Sequence, residues 1–172
     1  MNSEEIFPVI MENGTVIGNA TRGECHSGSM LLHPVVHLHL FNSEKKLYLQ
    51  KRAMSKDIQP GKWDTSVGGH VDYGEKIEEA LLRETREELG VTGITPVPLY
   101  SYLFQSEMER EMVHTFYAIA AQADIIIDKT EIDCGAFWDI EEIKADIGTG
   151  IFTPNFELEF SKLLPYIQSI LY

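Results

Sequence analysis

The stretch Gly69-His70-Val71-Asp72-Tyr73-Gly74-Glu75-Lys76-Ile77-Glu78-Glu79-Ala80-Leu81-Leu82-Arg83-Glu84-Thr85-Arg86-Glu87-Glu88-Leu89-Gly90-Val91 decides how the rest of the chain is read. Ile77, Leu81, Thr85 and Leu89 recur at four-residue steps, which predicts a helix from Glu75 to Leu89 with one buried stripe. Gly90 follows as a C-terminal stop. Glu84, Glu87 and Glu88 stand at i, i+3 and i+4, so their carboxylates share a side of that helix next to the stripe. Anions held this close repel, and partial burial makes the repulsion worse. A hard divalent cation with oxygen ligands removes the conflict. Arg83 is expected outside this cluster, facing Glu75 and Glu79, where an ion pair would fix the junction of loop and helix. Gly69 lets the backbone approach a metal closely, and its carbonyl is a candidate ligand.

Before this stretch the chain reads as strands. Ile6 to Met11 and Thr15 to Ala20 flank Asn13-Gly14, a hairpin signal. Val35 to Phe41 alternates, with Val36, Leu38 and Leu40 on one face and Val35, His37, His39 and Phe41 on the other. His37 and His39 are expected at the strand surface. Lys46 to Arg52 forms the next strand, residues 53 to 64 a loop marked by Pro60-Gly61, and Gly68-Gly69 interrupts a short strand. After the helix come strands at Pro98 to Phe104, Glu111 to Ala120 and Ala136 to Asp139. Helices are predicted at Ile140 to Ala145 and Asn155 to Ile170. Strands, a central helix, more strands and a terminal helix suggest an α/β fold, a mixed sheet covered by helices.

Composition narrows the function. With 172 residues, one domain spanning 1–172 is expected. Hydrophobic residues are 44% and charged residues 24%, an ordinary globular balance, and no apolar run is long enough for a membrane span. The opening Met1-Asn2-Ser3-Glu4-Glu5 is acidic where an export signal is basic, which favours a cytoplasmic protein. Cys25 and Cys134 fit neither a disulfide framework nor a zinc spacing and are read as reduced thiols. A net charge of -13 argues against a nucleic-acid partner. A small phosphorylated substrate is compatible with it, because a bound cation or a local basic patch reverses the field within a site. Oligomeric state stays open, a homodimer included.

The quoted stretch matches Gly-x5-Glu-x7-Arg-Glu-U-x-Glu-Glu-x-Gly-U at every fixed position and so resembles the Nudix box. Thr85 is a mild departure at the first U, and Val91 fills the last. The resemblance implies an alpha/beta/alpha sandwich and hydrolysis of a nucleoside diphosphate linked to another moiety, using magnesium or manganese. On that pattern Glu84, Glu87 and Glu88 bind metal or position water, and Arg83 with Glu75 supports them. Which glutamate is the general base stays open.

A second resemblance runs from about Thr15 to Phe156, to the Nudix branch related to isopentenyl-diphosphate isomerase. It is carried by His26, His33, Arg52-Ala-Met-Ser-Lys56, Pro60-Gly-Lys-Trp63, Ser66-Val-Gly-Gly-His70 and Glu109-Arg-Glu111. It implies a further metal site at His26, His33, His70, Glu109 and Glu111, and a diphosphate grip by Arg52 and Lys56. The isomerase needs a cysteine where this chain has Gly68, and its catalytic tyrosine aligns with Phe104. A hydrolase on an isomerase-like frame is therefore expected. The competing readings are an isomerase-like enzyme and a catalytically silent binding module. Nucleoside diphosphate sugars, dinucleoside polyphosphates, nucleotide triphosphates and isoprenoid diphosphates all stay open as substrates. Trp63 and Trp138 are read as packing residues, and Glu107, Glu131 and Asp133 as weaker candidates for a further carboxylate.

Overall fold

A computed structural model describes residues 5–121 and 124–172; of the acidic opening, Met1 to Glu4 lie outside them. The strands are β1 (Ile6–Ile10), β2 (Val16–Thr21), β3 (Leu32–Phe41), β4 (Leu47–Arg52), β5 (Trp63–Asp64), β6 (Val67–His70), β7 (Val97–Gln105), β8 (Arg110–Ile119) and β9 (Ile132–Trp138). The helices are α1 (Arg22–Cys25), α2 (Ile77–Leu89), α3 (Ile140–Asp146), α4 (Pro154–Leu163) and α5 (Ile167–Leu171). β1 and β2 form a separate two-stranded sheet. The main sheet is mixed and runs β5-β4-β3-β8-β7, with β6 on β3 and β9 on β4. The α/β class expected from the strand and helix pattern is the one observed.

The chain divides into two compact units. The first holds residues 1–38, 67–86 and 96–117. Here β1 pairs with β2, with Gly14 in the connecting turn at φ 87. β3 pairs with β6 from Val35↔His70 to Leu38↔Val67, and β7 pairs with β8 from Val97↔Tyr117 to Gln105↔Arg110. Phe7, Ala20 and Cys25 form a small core with Val9 and Leu31 packed on it. Helix α1 is absent from the sequence-based expectation, although Thr21 and Glu24 form a reciprocal capping box at its start.

Helix α2 starts two residues later than expected. Asp72 to Glu75 form a turn in which the Glu75 amide donates to the Asp72 carbonyl and the Asp72 amide to Glu75 Oε2. Gly74 supports this turn at φ +87, a conformation that disfavours other residues. Leu81, Thr85 and Leu89 are buried. Thr85 sits in this apolar stripe at low cost because its hydroxyl donates to the Leu81 carbonyl at 2.7 Å.

The second unit holds residues 39–66, 87–95 and 118–172. β4 pairs with β9 over Leu47↔Trp138 to Arg52↔Ile132, so β9 begins four residues earlier than Ala136. Trp63 and Trp138 pack edge to face at 5.2 Å, and Trp138 packs on Phe152 at 5.5 Å, consistent with their reading as packing residues. Phe152, Phe156 and Phe160 continue the row, all buried. The predicted terminal helix is broken into α4 and α5 by a 3-10 turn at Leu164–Tyr166, where Pro165 cannot continue the α pattern. His39 corrects a second expectation. It is fully buried, with Nε2 3.1 Å from Oε1 of the equally buried Glu159. The β alternation put His39 on the less apolar face, but α4 supplies an acidic partner there.

Candidate active site

Within the first unit, Gly69 and Glu84 are fitted against each other. A β-carbon added at Gly69 would lie 2.2 Å from Cδ and 2.6 Å from Oε1 of Glu84. Only glycine admits the carboxylate at this place. Arg83 then binds on both sides. Its Nε and NH2 donate to the two Glu75 oxygens at 2.9 and 3.0 Å, and its NH1 donates to Glu84 Oε1 at 2.7 Å. NH2 also donates to the His70 carbonyl at 2.9 Å. The expected ion pair of Arg83 with Glu75 at the loop-to-helix junction is thus present, and Arg83 in addition reaches Glu84 of the carboxylate cluster. Adjacent helical residues point apart, but the long guanidinium arm folds across to its neighbour. Glu79 instead accepts from the Lys76 amide at 3.1 Å. The hydrogen bonds that Arg83 donates to Glu75 hold it firmly charged. Burial alone would raise the Glu75 carboxyl, but the Arg83 hydrogen bonds bring it below the usual carboxylate range.

The same unit assembles the histidine cluster. His26, His33, His70 and Glu111 each place one ligand atom within 4.8 Å of the others. Glu109 joins at the edge, its Oε2 3.5 Å from His26 Nε2. The arrangement suits a cation. His26 Nε2 and His70 Nε2 are 3.1 Å apart. His33 Nδ1 lies 2.9 Å from the Leu31 carbonyl, which makes it the donor and leaves Nε2 as the ring nitrogen on the side of Glu111. That Nε2 is buried and lies 3.7 Å from Glu111 Oε1. Burial, with His70 and His33 close by, pushes His26 down to about 4. Burial likewise keeps His70 below its ordinary range. Burial opposes the charge on Glu111, but His33 and His70 beside it hold the carboxyl well below the usual range. Phe7, not singled out in the sequence, stacks flat on His70 with ring centres 4.4 Å apart.

The second unit holds the remaining site residues. Glu87 is exposed, and Glu88 is half-buried near the end of α2. Gln50 donates to Glu88 Oε2 at 3.0 Å, a contact with no sequence signal. Arg52 Nε donates to the Ile58 carbonyl at 3.0 Å, and its NH1 lies 3.7 Å from Asp64 Oδ2. Lys56 pairs with Glu131. Both cations of the expected diphosphate grip thus have acidic neighbours, and Glu131 answers a lysine.

An acidic box helix beside a glycine that admits its first carboxylate, on an α/β frame with a mixed sheet, defines the class. The chain belongs to the Nudix family: the NUDIX domain model matches residues 31–156. It is 28% identical over 155 residues to an uncharacterised Nudix hydrolase of Streptomyces coelicolor, covering 90% of this chain and 85% of that one. It is 33% identical over 138 residues to the isopentenyl-diphosphate Delta-isomerase of Salmonella arizonae, covering 77% and 76% respectively. Among solved structures, the Deinococcus radiodurans protein DR0079 superposes with a TM-score of 0.78 at 28% identity, covering 92% of this chain and 98% of that one. A MutT protein of Methanosarcina mazei shares the fold, with a TM-score of 0.67 at 21% identity.

Proposed function

We propose that this protein is a metal-dependent Nudix hydrolase that cleaves the diphosphate linkage of a nucleoside diphosphate derivative with water, and that residues 1–172 act as one Nudix domain in the cytoplasm. The observation that carries the reading is the Gly69–Glu84–Arg83–Glu75 contact, because it couples four fixed positions of the box into one carboxylate-holding device. On the box pattern, Glu84, Glu87 and Glu88, at i, i+3 and i+4 of one helix, and the Gly69 carbonyl supply oxygen donors of the kind that suits Mg2+ or Mn2+. A bound ion of this kind neutralises charge on the bridging phosphate oxygens and lowers the pKa of water. The chain's own contributions are distinct. Arg83 and Glu75 hold Glu84 in place, one of the box glutamates accepts a proton from the attacking water, and Arg52 and Lys56 draw in the diphosphate. The His26, His33, His70, Glu109 and Glu111 cluster holds a further divalent ion. A screen of phosphorylated substrates with Mg2+ or Mn2+ tests this, reading release of phosphate, pyrophosphate and nucleoside monophosphate. No release from any of them by the folded protein refutes it.

The assembled cluster also favours a second reading, an isomerase-like activity. Gly68 weighs against it, since proton transfer at carbon needs an ionisable group and glycine has none. Conversion of isopentenyl diphosphate to its dimethylallyl isomer is the assay that separates the two.

A further inference from the structure

Gln50 is not part of the Nudix box, yet its side chain is committed at both N–H groups. It stands on β4, between Gly135 of β9 and Asp64 of β5. Its Nε2 lies 3.1 Å from the Ser66 carbonyl and 3.0 Å from Glu88 Oε2. A peptide carbonyl and a carboxylate are both pure acceptors, so the nitrogen, and not the oxygen, of the Gln50 amide must face them. Ser66 is itself fixed. It is fully buried, its Oγ accepts from the Leu40 amide at 2.9 Å, and the same hydroxyl donates to the Tyr48 carbonyl. A hydrogen-bonded chain thus runs from the interior of β3 through Ser66 and Gln50 to one oxygen of Glu88. The backbone of Glu88 is held as well. Its carbonyl accepts from the Asp128 amide at 3.0 Å, and that of Leu89 accepts from the Ile126 amide at 2.8 Å.

We propose that Gln50 is a positioning residue for the box carboxylate Glu88: its amide sets the carboxylate's orientation and keeps one oxygen engaged while the group serves a divalent cation. The proposal rests on the hydrolase reading for the purpose of Glu88. Gln50 suits the task because it donates without carrying charge. A lysine here would pair with the carboxylate and compete with the cation. Removing an outer hydrogen bond to a metal-binding group typically weakens metal affinity or activity by about 10–100-fold.

The test is Mn2+ binding, followed by electron paramagnetic resonance of the free ion, in the full chain. Gln50→Met keeps the length and removes both donors. It should weaken Mn2+ binding at least tenfold, by the typical range of about 10–100-fold, with little change in melting temperature. Gln50→Asn keeps the amide, is too short to span Ser66 and Glu88, and should also weaken it; it decides the matter if Gln50→Met does not fold. In a Glu88→Gln background, Gln50→Met should have less than about a twofold further effect, since coupled residues are not additive. Equal losses in both backgrounds would mean that Gln50 does not act through Glu88, and that overturns the proposal. So does unchanged Mn2+ affinity in the single variants, or a wild-type chain that binds no Mn2+. A wild type that binds Mn2+ yet cleaves no diphosphate defeats the hydrolase reading alone, and the Mn2+ comparison still decides the role of Gln50.

Discussion

Gly69→Ala probes the tightest contact in the box. The new methyl would stand 2.2 Å from Cδ, 2.3 Å from Cγ and 2.6 Å from Oε1 of Glu84, where ordinary contact begins near 3.4 Å. Neither side yields easily. Gly69 is paired to Val36 in the β3–β6 ladder. Glu84 is pinned by Arg83 at 2.7 Å, and Arg83 is itself held by Glu75 and the His70 carbonyl. The carboxylate must therefore swing away by about 1 Å, a misplacement that can cost about 100-fold in rate. The assay is Mg2+-dependent diphosphate cleavage on a confirmed substrate, with thermal unfolding measured in parallel. Gly18→Ala serves as a control, because a β-carbon there meets nothing within 4 Å. A Gly69→Ala protein that folds and turns over within threefold of wild type would show that the fit of Glu84 against Gly69 does not govern turnover.

Arg83→Lys should lower turnover by about 10–100-fold, since one ammonium cannot reproduce a fork shared among Glu75, Glu84 and the His70 carbonyl; steady-state kinetics on the purified variant checks it. Arg52→Ala and Lys56→Ala should raise KM for the phosphorylated substrate more than they lower kcat, and an unchanged KM in both would remove them from the diphosphate grip. His33→Ala or His70→Ala should cut the number of tightly bound divalent ions by one per chain, counted by elemental analysis after dialysis. Burial pushes the Tyr48 phenol up from 10.0 to about 12. Between those values the unfolded chain releases a proton that the folded chain keeps, so stability is full below about pH 10 and falls as pH rises toward 12. Tyr48→Phe should flatten that part of the alkaline melting profile.

The box helix was legible because its evidence is local. The spacing of Leu81, Thr85 and Leu89 and the stop at Gly90 gave α2 its end, and Gly90 does adopt φ 65. The fixed glycine at 69 was legible for the same reason, although the cause lies in the space that Glu84 occupies. The histidine cluster was reached by resemblance, since its members come from α1's end, β3, β6 and β8 and no spacing joins them. Long-range partners were not legible. Nothing near His39 announces Glu159, and nothing near Gln50 announces Glu88. The Arg83–Glu75 pair was legible, but the further contact of Arg83 with Glu84 was not, because helical geometry locates Cβ atoms, whereas a guanidinium fork reaches well beyond its own Cβ direction.

On the proposed function, water attacks a phosphorus atom at a metal-bearing Nudix box. The direct test incubates the protein with Mg2+ or Mn2+ and each candidate diphosphate in oxygen-labelled water, and reads the products by mass spectrometry. Label should enter a phosphate-containing product of the true substrate, and chelation, or Glu87→Gln or Glu88→Gln in a folded chain, should abolish it. Conversion of isopentenyl diphosphate to its dimethylallyl isomer, lost on changing His70 or Glu111, with no labelled phosphate from any substrate, would contradict the proposed function.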